Sequence, residues 1–160
     1  MIKVFIDQGH NPTNPNAGAE GSGLREQDLV YEIGIRLAEL LNSDPEFDAR
    51  LSRNSPSEIL GETTAQSLRA RTDAANSWGA DIFISLHANA STISSASGNE
   101  GLVYKIPSAA YTLSEDILTE LSLATGLQNR GTNARPGLYV LRKTTMPAVL
   151  VELGFITNAG

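Results

Sequence analysis

The most informative absence in this sequence is cysteine, which does not occur among its 160 residues. Without cysteine the chain has no disulfide, no thiolate nucleophile and no thiolate ligand for a metal ion. Any catalytic centre must therefore be built from other side chains, and any metal must be held by nitrogen or oxygen atoms.

Positive charge is also scarce, because 12 basic residues are set against 18 acidic ones and the formal net charge is −6. Since phosphate neutralisation dominates nucleic-acid affinity, this balance argues against a nucleic-acid partner and against anionic membranes. No apolar run approaches the length of a membrane span, and the first residues lack the basic start and apolar stretch of a signal peptide. We expect a monomer that binds neither nucleic acid nor a membrane.

Three short apolar runs each lead into a chemically active side chain. Continuous apolar runs are typical of strands that are buried on both faces of a parallel sheet. In open α/β sheets ligands bind beyond the carboxyl ends of such strands, so the three side chains are predicted to share one site. The runs and the residues that they lead into are Ile2–Asp7 with His10, Ile82–Leu86 with His87, and Ala148–Val151 with Glu152.

Helical and extended patterns alternate along the chain. Apolar residues recur at helical spacing over 25–41, 67–78 and 108–125, and Gly79 and Gly126 are placed to end the second and third of these helices. Further strands are predicted at 47–52, 100–105 and 138–141, with loops at 11–23 and 128–137. The alternation predicts an α/β fold, a three-layer αβα sandwich with a largely parallel, twisted central sheet flanked by helices.

Two imidazoles and one carboxylate form a common ligand set for catalytic zinc. The donors here would be His10, His87 and either Glu26 or Glu152, and spacing alone does not decide between the two glutamates. Each residue also has a structural interpretation: a histidine can be hydrogen-bonded in the core, and Glu26 can be favoured by a helix N-terminus. Glu152 follows a buried run and needs a partner or a metal. A Ser85–His87 hydrolase is disfavoured because no nucleophile elbow surrounds the serine.

Several segments resemble the zinc-dependent N-acetylmuramoyl-L-alanine amidases of the type 3 class, which include bacterial autolysins and phage endolysins. The main segments are VFIDQGH at 4–10, GLREQDL at 23–29, ADIFISLHANA at 80–90 and PAVLVELGFITN at 147–158. The resemblance implies that His10, Glu26 and His87 bind one Zn²⁺ ion and that Glu152 is the catalytic carboxylate. It also implies hydrolysis of peptidoglycan, in the cell wall or outside the cell, by a bacterial or phage-encoded enzyme.

Residues 1–160 are then expected to form one amidase catalytic domain, without a C-terminal helix or a targeting module. Two other functions remain open at this point: a zinc peptidase that cuts another cell-wall peptide bond, and a non-catalytic wall-binding module with a degenerate site. Asn89 and Arg130 are candidates for holding the substrate, with structural roles as the alternative.

Overall fold

The computed structural model describes residues 1–160, which form a central six-stranded sheet between two layers of helices. The strands of the sheet lie in the order β4-β1-β5-β8-β6-β7. All neighbouring pairs are parallel except β6 and β8, which are antiparallel. The strands are β1 (Ile2–Gln8), β4 (Phe47–Leu51), β5 (Ile82–Asn89), β6 (Asn99–Val103), β7 (Asn129–Ala134) and β8 (Ala148–Phe155).

Alternate residues of the central strands face the two helical layers. Val4 and Ile6 of β1 pack in the cluster that contains α1, whereas Phe5 packs with α2 and α4 on the other face. Helix α3 covers Val149 and Val151 of β8. The helices are α1 (Glu26–Asn42), α2 (Thr64–Trp78), α3 (Ala109–Thr125) and α4 (Tyr139–Arg142).

The predicted sandwich with a largely parallel sheet is therefore confirmed, and so are the helix stops at Gly79 and Gly126. Both glycines cap their helices with positive φ values, of 70° and 72°. At the other end of these helices the side chains of Thr63 and Ser108 accept hydrogen bonds from backbone N–H groups of the first turn. None of the helices combines the length and the apolar composition needed to cross a bilayer.

Three local predictions were wrong. The segment predicted as a loop at 128–137 contains strand β7, a mostly exposed strand at the edge of the sheet whose polar side chains gave no strand pattern. The segment predicted as a strand at 138–141 is the short helix α4, because a brief apolar run does not distinguish a strand from a buried helical turn. Around the loop predicted at 11–23, a small antiparallel hairpin forms from β2 (Glu20–Gly21) and β3 (Leu24–Arg25).

Helix α1 approaches the sheet closely because it carries a glycine at its contact with β1. A Cβ atom at Gly34 would lie 2.5 Å from the Cγ atom of Gln8, which is too close for any other residue without a shift. The amide of Gln8 in turn donates a hydrogen bond to the carbonyl of Tyr31 in the same helix. These contacts hold α1 close to β1, and the helix begins at Glu26.

Candidate metal centre

His10 follows β1 and lies in the left-handed region of backbone space, with a φ value of 67°. This conformation is uncommon for residues other than glycine and costs free energy unless surrounding contacts maintain it. Two buried arginines supply such contacts, because Arg71 and Arg53 both donate hydrogen bonds to the carbonyl oxygen of His10. The unusual backbone turns the imidazole of His10 towards the start of α1.

Glu26 joins the two histidines through a single oxygen. Its Oε1 atom lies 3.1 Å from Nε2 of His10 and 3.1 Å from Nδ1 of His87. The backbone N–H groups of Ala19 and Ala88 donate to its two carboxylate oxygens and fix the plane of the group. The structure therefore brings together His10, Glu26 and His87, whose ligand atoms all lie within 4.8 Å of one another.

Two glycines make room for this cluster. A Cβ atom at Gly9 would lie 2.6 Å from ring atoms of His87, and one at Gly18 would lie 2.8 Å from Oε2 of Glu26. Such distances do not occur between real side chains without displacement, so larger residues at either position would push the donors apart. The sequence drew attention to neither glycine as part of the site.

The charges within the cluster support one another. Burial alone would raise the pKa of Glu26, but hydrogen bonds and positive charge from His10 and His87 hold that pKa well below its usual range. Burial alone would lower the pKa of His87, but its hydrogen bond to Glu26 and the negative charges of Glu152 and Glu26 raise it. A carboxylate that faces two imidazoles in this way favours a cation between them, either a proton or a metal ion.

The donor set and its dimensions fit zinc. Two imidazole nitrogens and a carboxylate oxygen are typical ligands of a catalytic zinc site, which keeps one position open. Ligand atoms at about 2.0 Å from a tetrahedral zinc ion are about 3.3 Å apart. The contacts of Glu26 Oε1 with Nε2 of His10 and Nδ1 of His87 are both 3.1 Å, so they need little change to reach that separation. The side chains of His10 and His87 are 20% and 18% exposed, so a substrate or water can reach the cluster.

Glu152 lies beside the cluster without belonging to it. It sits in β8 directly opposite His87 of β5, and its Oε2 atom is buried with no hydrogen-bond partner. Burial raises the pKa of Glu152 to about 7; the negative charges of Glu26 and Glu100 add to this effect, and His87 opposes it. The structure thus places all four residues predicted for the site at the carboxyl end of the sheet, with His87 and Glu152 inside β5 and β8 and not after the ends of these strands.

A buried ion pair beneath the cluster was missed at the sequence level. Asp7 accepts hydrogen bonds from Arg71 at 2.7 Å and from the hydroxyl of Ser85 at 2.7 Å, and all three residues are almost completely buried. The signal was present, because Asp7 ends a buried apolar run as Glu152 does and a buried carboxylate requires a partner. The hydroxyl of Ser85 is thus enclosed in this network, which excludes the Ser85–His87 hydrolase.

The two residues considered for substrate binding differ in their surroundings. The side chain of Asn89 accepts a hydrogen bond from the backbone N–H of Ala90, and its carbonyl accepts one from Ile156, both of which are structural contacts. Arg130 lies on the edge strand β7, with a partly exposed side chain next to Glu100.

The chain is similar to known proteins both in sequence and in fold. The sequence model of a family described as N-acetylmuramoyl-L-alanine amidase matches residues 4–160. N-acetylmuramoyl-L-alanine amidase CwlM of Bacillus licheniformis is 38% identical over 160 residues, which cover 99% of this chain and 58% of that protein. The sporulation-specific N-acetylmuramoyl-L-alanine amidase of Bacillus subtilis (strain 168) is 37% identical, with 98% of this chain and 57% of that protein covered.

The chain thus spans a little over half the length of these two curated relatives. Among solved structures, the catalytic domain of CwlV, an N-acetylmuramoyl-L-alanine amidase from Bacillus (Paenibacillus) polymyxa var. colistinus, superposes with a TM-score of 0.85 at 31% identity. That superposition covers 99% of this chain and 83% of the other.

Proposed function

Since this chain belongs to the N-acetylmuramoyl-L-alanine amidase family, we propose that it hydrolyses the amide between the lactyl group of N-acetylmuramic acid and the L-alanine of the stem peptide. The observation that carries the proposal is the meeting of His10, Glu26 and His87 at one sheet edge, with Glu152 directly opposite His87. Residues 1–160 would act as one catalytic domain, and peptidoglycan would be the partner.

One zinc ion is the proposed cofactor, with His10, Glu26 and His87 as its ligands. Zinc held there would supply Lewis acidity, which lowers the pKa of water and polarises a carbonyl group. Glu26 has a strongly lowered pKa, so it is available as a carboxylate at neutral pH. Gly9 and Gly18 leave the ligands room to close around the ion.

Glu152 is the proposed general base and general acid. Burial raises the pKa of Glu152 above its ordinary value, and a carboxyl group with a raised pKa is suited to accept a proton and release it again. Glu152 would take a proton from the attacking water and deliver one to the nitrogen of the departing alanine. The C–N bond of the amide breaks, a C–O bond to the lactyl carbon forms, and the products are a lactyl carboxylate and a free amino terminus.

This chemistry places the site of action in the cell wall or outside the cell, whether the enzyme comes from a bacterium or from a phage. Because the chain has a net charge of −6, general electrostatic attraction does not draw it to an anionic wall polymer. The substrate would therefore be recognised by specific contacts at the site.

The test is digestion of purified peptidoglycan, followed by mass analysis of the released fragments. The protein should be assayed with zinc, after removal of metal by a chelator, and as the Glu152→Ala variant. We expect new lactyl carboxylates and L-alanine amino termini only from the zinc-loaded wild type. Cleavage between two amino acids would identify a zinc peptidase instead, and sedimentation with peptidoglycan without any product would identify a wall-binding module.

A further inference from the structure

A row of charged residues crosses four neighbouring strands from the metal centre to the edge of the sheet. His87 of β5 is paired with Glu152 of β8, and Glu152 is paired with Glu100 of β6. Residues paired across strands direct their side chains to the same face of a sheet. Arg130 of β7 continues the row, because its Nε atom lies 3.7 Å from Oε2 of Glu100. The row therefore begins at the metal centre and ends in a positive charge.

The side chain of Arg130 is fixed by its neighbours although it is 40% exposed. Its aliphatic part lies against Gly98, where a Cβ atom would be 2.8 Å from the Cγ and Cδ atoms of the arginine. Its guanidinium carbon lies 5.2 Å from the centre of the Phe155 ring, and Nη1 donates to the carbonyl of Ser97. These three contacts restrict the orientations that the guanidinium can adopt.

Most of the hydrogen-bonding capacity of this guanidinium is unused. Arginine offers five N–H donors, and only the bond from Nη1 to Ser97 is made within the protein. Oε2 of Glu100 lies 3.7 Å from Nε of Arg130, which is beyond hydrogen-bonding distance. Nη2 of Arg130 makes no hydrogen bond within the protein. A fixed guanidinium with free donors is suited to bind a carboxylate through charge-assisted hydrogen bonds.

The distance along the row limits where such a carboxylate can lie. Arg130 is two strands away from Glu152, which corresponds to about 9.6 Å between their backbones at about 4.8 Å per strand. An extended peptide advances about 3.3–3.6 Å per residue. A span of about 9.6 Å corresponds to about three residues, so a carboxylate on the third residue beyond the amide held at Glu152 would reach Arg130.

Resting on the amidase function proposed above, we propose that Arg130 binds a free carboxylate of the stem peptide and makes the enzyme prefer acidic stem peptides to amidated ones. A carboxamide at the same place carries no charge and forms a weaker contact with the guanidinium. Glu100 has a supporting role, because it holds the guanidinium on the side that faces Glu152.

The experiment compares two muramoyl tripeptides that differ at the third residue, which carries either a free α-carboxylate or its carboxamide. Steady-state kinetics of the zinc-loaded protein are measured for the wild type, Arg130→Gln and Arg130→Lys. For the acidic substrate we expect Arg130→Gln to raise KM about tenfold with little change in kcat, since a charged hydrogen bond is lost. For the amidated substrate we expect less than about a twofold change, and Arg130→Lys should lie between the wild type and Arg130→Gln on the acidic substrate.

Arg135→Gln is the matched control, because Arg135 is an exposed arginine just after β7 and the variant changes the net charge equally. It should leave both substrates unaffected. Equal losses of Arg130→Gln on both substrates, or no loss on either, would overturn the role of Arg130 while leaving the amidase function intact. If the wild type hydrolysed neither substrate at the lactyl amide, the proposed function itself would fail, and this inference with it.

Discussion

The guanidinium of Arg71 donates a hydrogen bond of 2.6 Å from Nη2 to the main-chain carbonyl of His10. Its Nη1 atom bonds both the carboxylate of Asp7 and the carbonyl of Gln8, so one side chain of α2 fixes the backbone on which β1 ends. His10 leaves this strand with a positive φ, and Arg71 makes the shorter of the two arginine hydrogen bonds to its carbonyl, 2.6 Å against 3.2 Å from Arg53. The geometry of the candidate metal centre therefore depends on a residue outside the cluster of His10, Glu26 and His87.

Replacing Arg71 by glutamine should destabilise the protein by about 3–5 kcal/mol, because it leaves the buried carboxylate of Asp7 without its charged partner. The free energy of unfolding in urea measures this effect. Arg69→Gln is the control, since Arg69 lies on the same helix and forms an exposed ion pair with Asp73. That variant should change stability by less than about 1 kcal/mol. Equal effects of the two variants would show that the buried network contributes nothing particular.

Acid should remove the stabilising contribution of Asp7. Burial would raise the pKa of Asp7, but Arg71 and Ser85 hold that pKa below its usual value. A carboxyl with a lower pKa in the folded state stabilises the fold above its unfolded pKa of about 3.9, and this contribution is lost as pH falls through the folded pKa. The difference in unfolding free energy between wild type and Asp7→Asn should therefore be largest near neutral pH and shrink below about pH 4. A difference that does not vary with pH would contradict this account.

Glu152→Ala should keep the metal and lose hydrolysis by several powers of ten, since general acid–base catalysis alone contributes about 10²–10⁴-fold. His87→Ala should lose the metal as well as the activity. Metal content by elemental analysis, measured beside the rate of amide hydrolysis, separates the two roles. Full activity of purified Glu152→Ala would refute its assignment as the catalytic carboxylate.

Gly9→Ala should weaken metal binding by about tenfold or more while the protein still folds, because outer contacts of a ligand set its orientation. The added methyl group would meet the ring of His87 at 2.6 Å. Gly137→Ala is a matched control, since a Cβ atom at Gly137 meets nothing within 4 Å. Competition with a chromophoric zinc chelator would report both affinities. Similar affinities for the two variants would mean that the ring of His87 moves without cost.

The sequence by itself predicted the layers of the fold and named the four residues that we propose for the site. Period and composition predicted the buried strands β1, β5 and β8, and a polar side chain at the end of an apolar run needs a partner, because burial without one is costly. The same reasoning failed for β7, an edge strand without an apolar face, and for α4, where four apolar residues fit either a helix or a strand.

Only the tertiary structure decided how the site is assembled. The structure places Glu26, the first residue of α1, between the two histidines, and Glu152 beside them in β8. The support of His10 by Arg71 and the row that leads to Arg130 join residues that are distant in the chain. Pairings of this kind leave no periodic trace in a sequence, because they arise from the packing of separate elements against one another.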